Sequence, residues 1–364
     1  MMILMACIVI AFTALQFLVA LANLIFESDL PEEGEKEGPL VSVLIPARNE
    51  EKNIGSIIED LLGQDYQHIE IVVFNDQSSD RTEEVVRTYA VRDERIRLIN
   101  STGLPLGWTG KNYACHSLAL NAKGEYLLFL DADVRISGNV IGRCLALVRK
   151  KGLDLVSVFP KQEMQTPGEK ITVPIINYVL VTLLPLVLVE KSCHSSLAAA
   201  SGAFMFFTAG AYREVLPHEK VKRAVVEDVS IARLFKKADK RVACLLGDDD
   251  YSCRMYHGFR HAVGGFSKFI TTFFADSFVL SVLFFLVTTF GFLPVLWAMP
   301  SWVFAGYLVV YVLTRVIVFF LSHQNILSSV LLIIPVQLSL GLINCVAYLG
   351  RFSGKLEWKG RQIA

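Results

Sequence analysis

Long apolar stretches at both ends of the chain enclose a middle part in which apolar and polar residues alternate on a short scale. Residues 1–26 carry no charge, and this length suffices to cross a hydrocarbon layer of roughly 30 Å. Three further apolar stretches, 278–299, 302–321 and 326–349, lie near the carboxyl end. The pattern predicts transmembrane helices at both ends of a soluble domain.

A cleaved signal peptide is the alternative for the first stretch. No basic residue precedes its apolar run, which is also longer than a usual signal core, so a retained anchor is favoured. The acidic segment after it contains two prolines and two glycines, which is typical of a linker.

The middle part is predicted to be an α/β domain. Predicted strands cover 41–45, 69–74, 96–99 and 127–130, and predicted helices cover 50–62, 82–90 and 112–121, the first capped by Asn49 and the second by Ser79 or Asp80. Strands that alternate with helices in this order indicate βαβ units and a mostly parallel sheet.

An apolar segment broken by Pro174 and Pro185 interrupts this pattern. A core or membrane-surface helix is favoured over a span, because one span would put its two flanks in different compartments. The predicted parts are an anchor (1–27), an acidic linker (28–39), a soluble domain (40–275) with this membrane-proximal segment (173–190), a transmembrane region (276–350) and a basic tail (351–364).

Charge places the tail relative to the bilayer. Its basic residues favour the cytoplasm by the positive-inside rule; they are Arg351, Lys355, Lys359 and Arg361. If the soluble domain is also cytoplasmic, an even number of crossings must separate the two. Three full spans violate this condition, so either one stretch is re-entrant or interfacial, or the tail lies outside.

Polar and helix-breaking residues inside the apolar stretches mark special positions. Possible breaks are Pro294, Pro335 and Asn344. Arg315 is the one basic residue within an apolar stretch, near its end. A charge is costly at that depth, so the side chain is expected to reach back to the membrane interface.

Composition narrows the class of protein. The chain of 364 residues is 53% hydrophobic and 19% charged, as in membrane proteins, and its net charge of zero argues against nucleic acid as a partner. Seven cysteines occur without paired metal-ligand spacing, which argues against a disulfide framework or a zinc site and is compatible with a reducing compartment.

Two acids follow the apolar strand 127–130 directly, as Asp131-Ala132-Asp133. Ligand crevices lie at the carboxyl ends of parallel strands. Carboxylates there suit Mg²⁺, which commonly takes one or two of them together with substrate phosphates. A helix cap or a solvated strand end is the alternative for such an acid pair alone.

Polar clusters also follow the first two strands, at 46–50 and 75–80. Capping explains one such cluster easily and three less well. The joint pattern therefore favours a nucleotide and metal site at the strand ends.

Four motifs in order carry a family resemblance: VLIPARNE (43–50), NDQSSD (75–80), DAD (131–133) and VED (226–228). This order resembles the signature of the family-two inverting glycosyltransferases. The resemblance covers about residues 40–268 and implies their nucleotide-sugar-binding A-type fold, a Rossmann-like mixed sheet.

Three more motifs are similar to a membrane-bound branch of that family, which includes the diaponeurosporenoate and hopene-associated glycosyltransferases. They are LPLGWTGK (104–111), RMY (254–256) and WKGR (358–361). Members of this branch act on lipid acceptors.

The resemblance implies that Pro46, Arg48, Glu50 and Asp76 bind the nucleotide donor. Asn75 stands where the family often has a first aspartate, which puts the role of that position in doubt.

The resemblance also implies that Asp131 approaches the ribose or diphosphate, and that Asp133 holds Mg²⁺ or Mn²⁺. Asp228 would be the general base, although a plain acidic helix start is the alternative for it, and Glu227 beside it is expected to point away. Lys111 would meet the diphosphate or the base, or else be a solvated lysine.

Many members carry a Gln-x-x-Arg-Trp element after the base. The nearest spacing here is 257–261, with histidine at both departing positions. Arg254 is the first candidate to neutralise the leaving diphosphate and Arg260 the second. A basic residue at a membrane interface is the alternative for Arg260.

These expectations describe an integral membrane enzyme, in a bacterial cell membrane with its domain in the cytoplasm. It would move one sugar from a nucleotide sugar, UDP-linked by the resemblance, to a lipid acceptor such as a carotenoid or hopanoid. A processive polysaccharide synthase and a non-catalytic lipid-binding scaffold are the alternatives.

Overall fold

The computed structural model describes residues 1–26, 29–353, 357–358 and 361–362. Lys355 and Lys359 of the predicted basic tail lie outside the described residues, as does Gly360 of the WKGR motif.

The described chain contains three sheets, with helices between and around them. The helices are α1 (Met2–Ile25), α2 (Ile54–Leu62), α3 (Thr82–Ala90), α4 (Gly110–Asn121), α5 (Val140–Lys151), α6 (Pro167–Lys170), α7 (Pro174–Leu183), α8 (Leu186–Lys191), α9 (Ala209–Val215), α10 (Pro217–Lys220), α11 (Glu227–Lys237), α12 (Phe259–Phe266), α13 (Phe278–Phe290), α14 (Phe292–Ala298), α15 (Ser301–Leu321), α16 (Ile326–Leu331) and α17 (Ile333–Ser353). The strands are β1 (Val41–Ala47), β2 (Ile69–Asn75), β3 (Ile96–Asn100), β4 (Tyr126–Leu130), β5 (Val134–Ile136), β6 (Leu155–Phe159), β7 (Lys161–Gln162), β8 (Phe204–Thr208), β9 (Val242–Leu246), β10 (Tyr251–Cys253), β11 (Glu357–Trp358) and β12 (Arg361–Gln362).

The main sheet has seven strands in the order β3-β2-β1-β4-β8-β6-β9. Strand β8 runs antiparallel to both of its neighbours, and the other pairs are parallel. Every residue of β2 is buried, as expected for a strand covered on both faces. The predicted α/β class and mixed sheet are confirmed.

The first predicted strand and helix differ from their observed bounds. Strand β1 continues through Pro46, where its ladder with β4 has already ended at Leu44, so the missing N–H costs no bond on that side. Helix α2 begins at Ile54, and Asn49 does not cap it. Asn49 has a positive φ of 55°, and its side-chain oxygen accepts a hydrogen bond from the Ser79 N–H at 2.8 Å.

The helix over 82–90 is confirmed at both ends. Its N-cap residue is Arg81, which makes no side-chain cap, so the predicted caps Ser79 and Asp80 are wrong, although Asp80 Oδ1 accepts a hydrogen bond from the Thr82 N–H at 3.0 Å.

A small second sheet, β5-β10-β7, was not predicted from the sequence. Cys253 of β10 pairs with Val134 on one side and with Gln162 on the other. The acid pair of 131–133 immediately precedes β5, so this sheet connects the acids to the segment that enters α6 and α7.

The predicted linker packs against the domain. Leu30 is 5% exposed within the apolar core, and the Glu35 N–H donates to the Gly142 carbonyl at 3.1 Å. The backbone of this segment is therefore anchored on α5.

The favoured interpretation of segment 173–190 is correct. It forms two short helices of ten and six residues, α7 and α8, which are too short to span a bilayer. Helix α7 packs against α1 and α15, and its buried residues share one apolar core with the main sheet. It therefore lies between the membrane helices and the sheet domain.

Three helices in the described chain are long and apolar enough to cross a membrane: α1, α15 and the part of α17 that spans 333–350. A fourth candidate is the pair α13 and α14, which is bent by 48° and is either a broken span or a re-entrant loop. A re-entrant pair would leave two crossings after the domain, which satisfies the even number required above.

Of the three possible breaks, Asn344 is wrong, whereas Pro294 and Pro335 each lie three residues after an observed break, at Gly291 and Leu332. Helix α17 continues through Pro335 and Asn344, because Pro335 sits in its first turn, where no intrahelical N–H is needed. The bend between α13 and α14 occurs at Gly291 instead of Pro294.

The prediction that Arg315 reaches the interface is also wrong. Arg315 is 1% exposed, and its guanidinium lies over the ring of Tyr178, 3.4 Å from the ring centroid. The side chain therefore turns into the helix bundle.

Replacing Gly142 with alanine is expected to destabilise the domain. A Cβ at this position would lie 1.9 Å from the Glu35 carbonyl oxygen, and relieving such a clash costs about 1–3 kcal/mol. Thermal unfolding of the purified protein in detergent should show a melting temperature lower by several degrees. Gly210→Ala is the matched control, because a Cβ at that exposed helical position meets nothing within 4 Å. Equal melting temperatures for both variants would contradict the docking of the linker on α5.

Candidate active site

The loops after β1 and β2 meet at the carboxyl edge of the sheet. Arg48 Nη1 donates to the Asp76 carbonyl at 2.6 Å, and the Glu50 N–H donates to Thr82 Oγ1 at 2.8 Å. Pro46 lies beside Phe74 in the register of the two strands. The four predicted donor-binding residues thus occupy one loop pair.

Asn75 has a structural position at the end of β2. Its side-chain amide donates to Asn100 Oδ1 at 2.9 Å, and its oxygen accepts from the Ser78 N–H at 3.1 Å. These bonds connect β2 to β3 and shape the following loop, which accounts for an amide at this position.

Lys111 occupies the centre of the acid cluster. Thr109 caps α4 by accepting from the Asn112 N–H, which places Lys111 in the first turn. Its amine lies 2.8 Å from Asp131 Oδ1 and 3.2 Å from Glu227 Oε1. The solvated-lysine alternative is therefore wrong.

Charge keeps this amine protonated. Burial alone would lower the pKa of Lys111, but the carboxylates of Asp131 and Glu227 outweigh it and hold that pKa well above its usual range. The Lys111 amine therefore stays positively charged between the two acids.

Glu227 and Asp228 begin α11, and both face this cluster. Asp228 Oδ2 accepts from the Gly202 N–H at 2.9 Å, and its Oδ1 accepts from the Val229 N–H at 2.7 Å. Glu227 is 8% exposed and reaches Lys111. The expectation that the two acids point apart is wrong, because both side chains approach the backbone at Gly202.

Gly202 makes this approach possible. A Cβ there would lie 3.1 Å from Lys111 Nζ and 3.2 Å from Glu227 Oε1. Glycine lets the strand that enters β8 pass directly against the cluster.

Asp228 is poised to exchange a proton near neutral pH. Burial raises its pKa to about 7, and the negative charge of Glu227 adds to the effect of burial. A carboxyl with such a value suits general base chemistry.

The acid pair after β4 separates into two positions. Asp131 is held by Lys111. After burial, the charges of Asp133 and Asp131 both raise the pKa of the Cys253 thiol on β10, so both acids face that strand. Within the described chain no three His, Cys, Asp or Glu side chains converge on one point. This donor set fits a hard cation that takes one or two carboxylates here and its other ligands from a diphosphate.

The two predicted arginines differ in their surroundings. Arg254 Nη2 lies 2.9 Å from Glu169 Oε1, and this carboxylate is fully buried. Arg260 is exposed on α12. Glu169 therefore fixes the guanidinium of Arg254 directly after β10, while the exposure of Arg260 favours its interface alternative.

Sequence reasoning missed Glu169 as a site-supporting residue. The only local signal was its place three residues after Thr166, which forms a capping box at the start of α6. Its contact with Arg254 spans 85 positions and follows from the pairing of β7 with β10.

Comparisons with known proteins agree with this geometry. Residues 42–215 match the model of the family "Glycosyl transferase family 2". The chain is 28% identical over 243 residues to a 4,4'-diaponeurosporenoate glycosyltransferase of Staphylococcus haemolyticus, an alignment that covers 66% of this chain and 63% of that relative. It is 35% identical over 118 residues to the uncharacterized glycosyltransferase EpsJ of Bacillus subtilis, covering 32% and 33%. The matched part thus spans less than two thirds of either relative.

A solved structure resembles the whole chain. The mannosyltransferase PcManGT from Pyrobaculum calidifontis, in complex with GDP-Man and Mn²⁺, superposes with a TM-score of 0.55 at 18% identity, covering 95% of this chain and 99% of that one. This likeness shows the fold and confirms the predicted glycosyltransferase architecture.

Replacing Lys111 with methionine is expected to destabilise the protein. The change would leave Asp131 and Glu227 close together without their shared cation, at a cost of about 1–3 kcal/mol. A melting temperature lower by several degrees is expected in thermal unfolding at pH 7.5. Lys237→Met, on the exposed end of α11, removes the same charge from solvent and should leave the melting temperature unchanged. A Lys111 variant as stable as this control would contradict the central role of the amine.

Proposed function

We propose that this chain, whose residues 42–215 belong to glycosyl transferase family 2, transfers one sugar from a nucleotide sugar to a lipid acceptor with inversion at the anomeric carbon. The observation that carries the proposal is the meeting of Lys111, Asp131 and Asp228 at the carboxyl edge of the sheet. The domain also packs on apolar helices long enough to cross a membrane.

The donor is proposed to lie along the loops after β1 and β2. Arg48 joins the two loops by donating to the Asp76 carbonyl, and Glu50 lies in the same loop as Arg48. Uridine diphosphate is the nucleotide that the family resemblance implies. The structural neighbour PcManGT is in complex with GDP-Man, a guanosine-linked donor.

The diphosphate is proposed to lie at Asp133. A bound Mg²⁺ or Mn²⁺ would supply Lewis-acid neutralisation of the leaving diphosphate. Lys111 contributes a fixed positive charge at Asp131, and Glu169 orients Arg254. Each of these cations would face charge that grows as the sugar departs.

The proton of a hydroxyl acceptor is proposed to pass to Asp228. As the acceptor oxygen bonds to the anomeric carbon, the bond to the diphosphate breaks and its electron pair leaves with the diphosphate. The Asp228 carboxylate takes the hydroxyl proton in the same step. The N–H groups of Gly202 and Val229 fix the orientation of this carboxylate.

A lipid acceptor is supported by the position of α7. This buried apolar helix separates the sheet domain from α1 and α15, so a molecule from the bilayer would reach the site beside it. The Staphylococcus relative carries the name of a carotenoid-type acid as its substrate. A carboxylate acceptor brings no proton, and Asp228 would then not be needed as a base.

Asp228→Asn tests the base. The amide keeps the size of the side chain but cannot take a proton, so transfer to a hydroxyl lipid should fall by about 10²- to 10⁴-fold. Binding of the nucleotide, measured by calorimetry with Mn²⁺, should be largely retained. Asp239→Asn, at the turn after α11, is the control and should transfer normally. Undiminished transfer by the Asp228 variant would remove the base assignment for that acceptor.

The pH dependence of kcat/KM tests the environment of the base. Since Asp228 must be ionised and its pKa is about 7, activity should rise between about pH 6 and pH 8. Glu227→Gln removes the neighbouring negative charge that raises this pKa, so the rise should move to lower pH. Glu94→Gln, on the exposed surface after α3, should leave the profile in place. A profile that Glu227→Gln does not move would show that another group titrates.

A further inference from the structure

Arg315 is a buried cation within a helix that is apolar enough to span a membrane. It lies on α15 and is 1% exposed. The end of this helix joins the sheet domain, where Gln324 Nε2 donates to the Gln162 carbonyl at 3.0 Å. Ser322 directly follows α15 and is seven residues from Arg315. The arginine backbone therefore lies about 10 Å along the helix from its end.

The described partners of the guanidinium are the side chains of Tyr178 and Tyr311. One face lies on the Tyr178 ring, and Nη2 donates to Tyr311 Oη at 3.3 Å. Nε is buried and has no hydrogen-bond partner in the described part of the chain. No Asp or Glu among the described residues forms an ion pair with Arg315, although a guanidinium has five N–H donors.

The surroundings are polar but neutral. Gln16 Nε2 donates to Tyr178 Oη and to Thr182 Oγ1, both at 3.1 Å. Thr314 is also buried, at 3% exposed. Polar side chains of α1, α7 and α15 thus surround Arg315, and no carboxylate of the described residues lies among them.

A buried charge in an apolar phase requires compensation. The tyrosine face supplies part of it, but ring stacking leaves the edge of the guanidinium unsatisfied. Planar guanidinium edges match the paired oxygens of carboxylate and phosphate groups. The missing partner is therefore an oxyanion.

We propose that Arg315 binds the anionic oxygen group of a membrane lipid, in a site beneath α7 that is formed by α1, α7 and α15. A small cavity lies between α7 and α15 one turn from Arg315, with Asn177, Val318 and Ser322 in its lining. Its volume of about 10 Å³ holds no more than one water molecule, so a lipid head group would reach Arg315 only where α7 and α15 separate. The proposal does not depend on sugar transfer, because it concerns binding alone.

Lipid retention tests the site. The full-length protein would be purified in detergent and equilibrated with phosphatidylglycerol, oleic acid or diacylglycerol, and bound lipid would be counted by native mass spectrometry. The wild type should retain phosphatidylglycerol or oleic acid at least tenfold better than diacylglycerol. Preference for the first identifies a phosphate ligand, and preference for the second a carboxylate ligand.

Arg315→Gln should abolish this preference. Arg213→Gln, which removes one charge from the exposed surface of α9, is the matched control and should keep it. The same preference in the Arg315 variant, or equal retention of all three lipids by the wild type, would overturn the proposal.

A second measurement covers the case in which Arg315→Gln does not fold. The melting temperature of the wild type should rise with an anionic lipid and stay unchanged with diacylglycerol. An equal rise with the neutral lipid would overturn the proposal without any variant.

Discussion

The contact between the Lys111 amine and the carboxylates of Asp131 and Glu227 is the interaction on which the site depends. It joins the start of α4, the end of β4 and the start of α11, three elements that are far apart in the sequence. Without it, the same acids would repel one another and Asp228 would lose its fixed neighbour. The stability of the fold and the chemistry of the site therefore share one charge cluster.

The membrane helices reach this cluster through α7 and the strands around it. Asn23 near the end of α1 donates to the Val181 carbonyl at 2.9 Å, which fixes α7 against the anchor. Strand β7, just before α6 and α7, pairs with β10, and β10 pairs with β5 directly after the acid pair. The small sheet of β5, β10 and β7 thus connects α7, which packs against the membrane helices, to the acid pair of 131–133.

Local patterns predicted the elements whose causes are local. The strands before Asp76 and Asp131 follow from runs of apolar residues, and the helix over 82–90 carries acidic residues in its first turn. The motif order named Asp131 and Asp228, which both lie beside Lys111 and Gly202, but not their neighbour Glu227. The family match supports the fold. The roles of Asp133 and Asp228 themselves stay predictions.

Contacts between distant positions were beyond the reach of sequence patterns. Glu169 meets Arg254 only because β7 pairs with β10, and Glu227 turns inward only because Gly202 leaves room for it. Arg315 was expected at the interface, since the cost of burying it is visible in the sequence but Tyr178, more than a hundred positions away, is not. The docking of segment 29–39 also depends on a distant contact, because the Glu35 N–H donates to the Gly142 carbonyl.

The central claim is that one sugar is added to a lipid. Lipids extracted from cells that express the wild type can be compared by mass spectrometry with lipids from cells that express Asp228→Asn and from cells without the gene. A lipid that is heavier by one sugar, present only with the wild type, is the result predicted for a hydroxyl acceptor; for a carboxylate acceptor it would also appear with the variant, but not without the gene. Lipid profiles that are the same with and without the gene, or a sugar polymer as the only new product, would contradict the account.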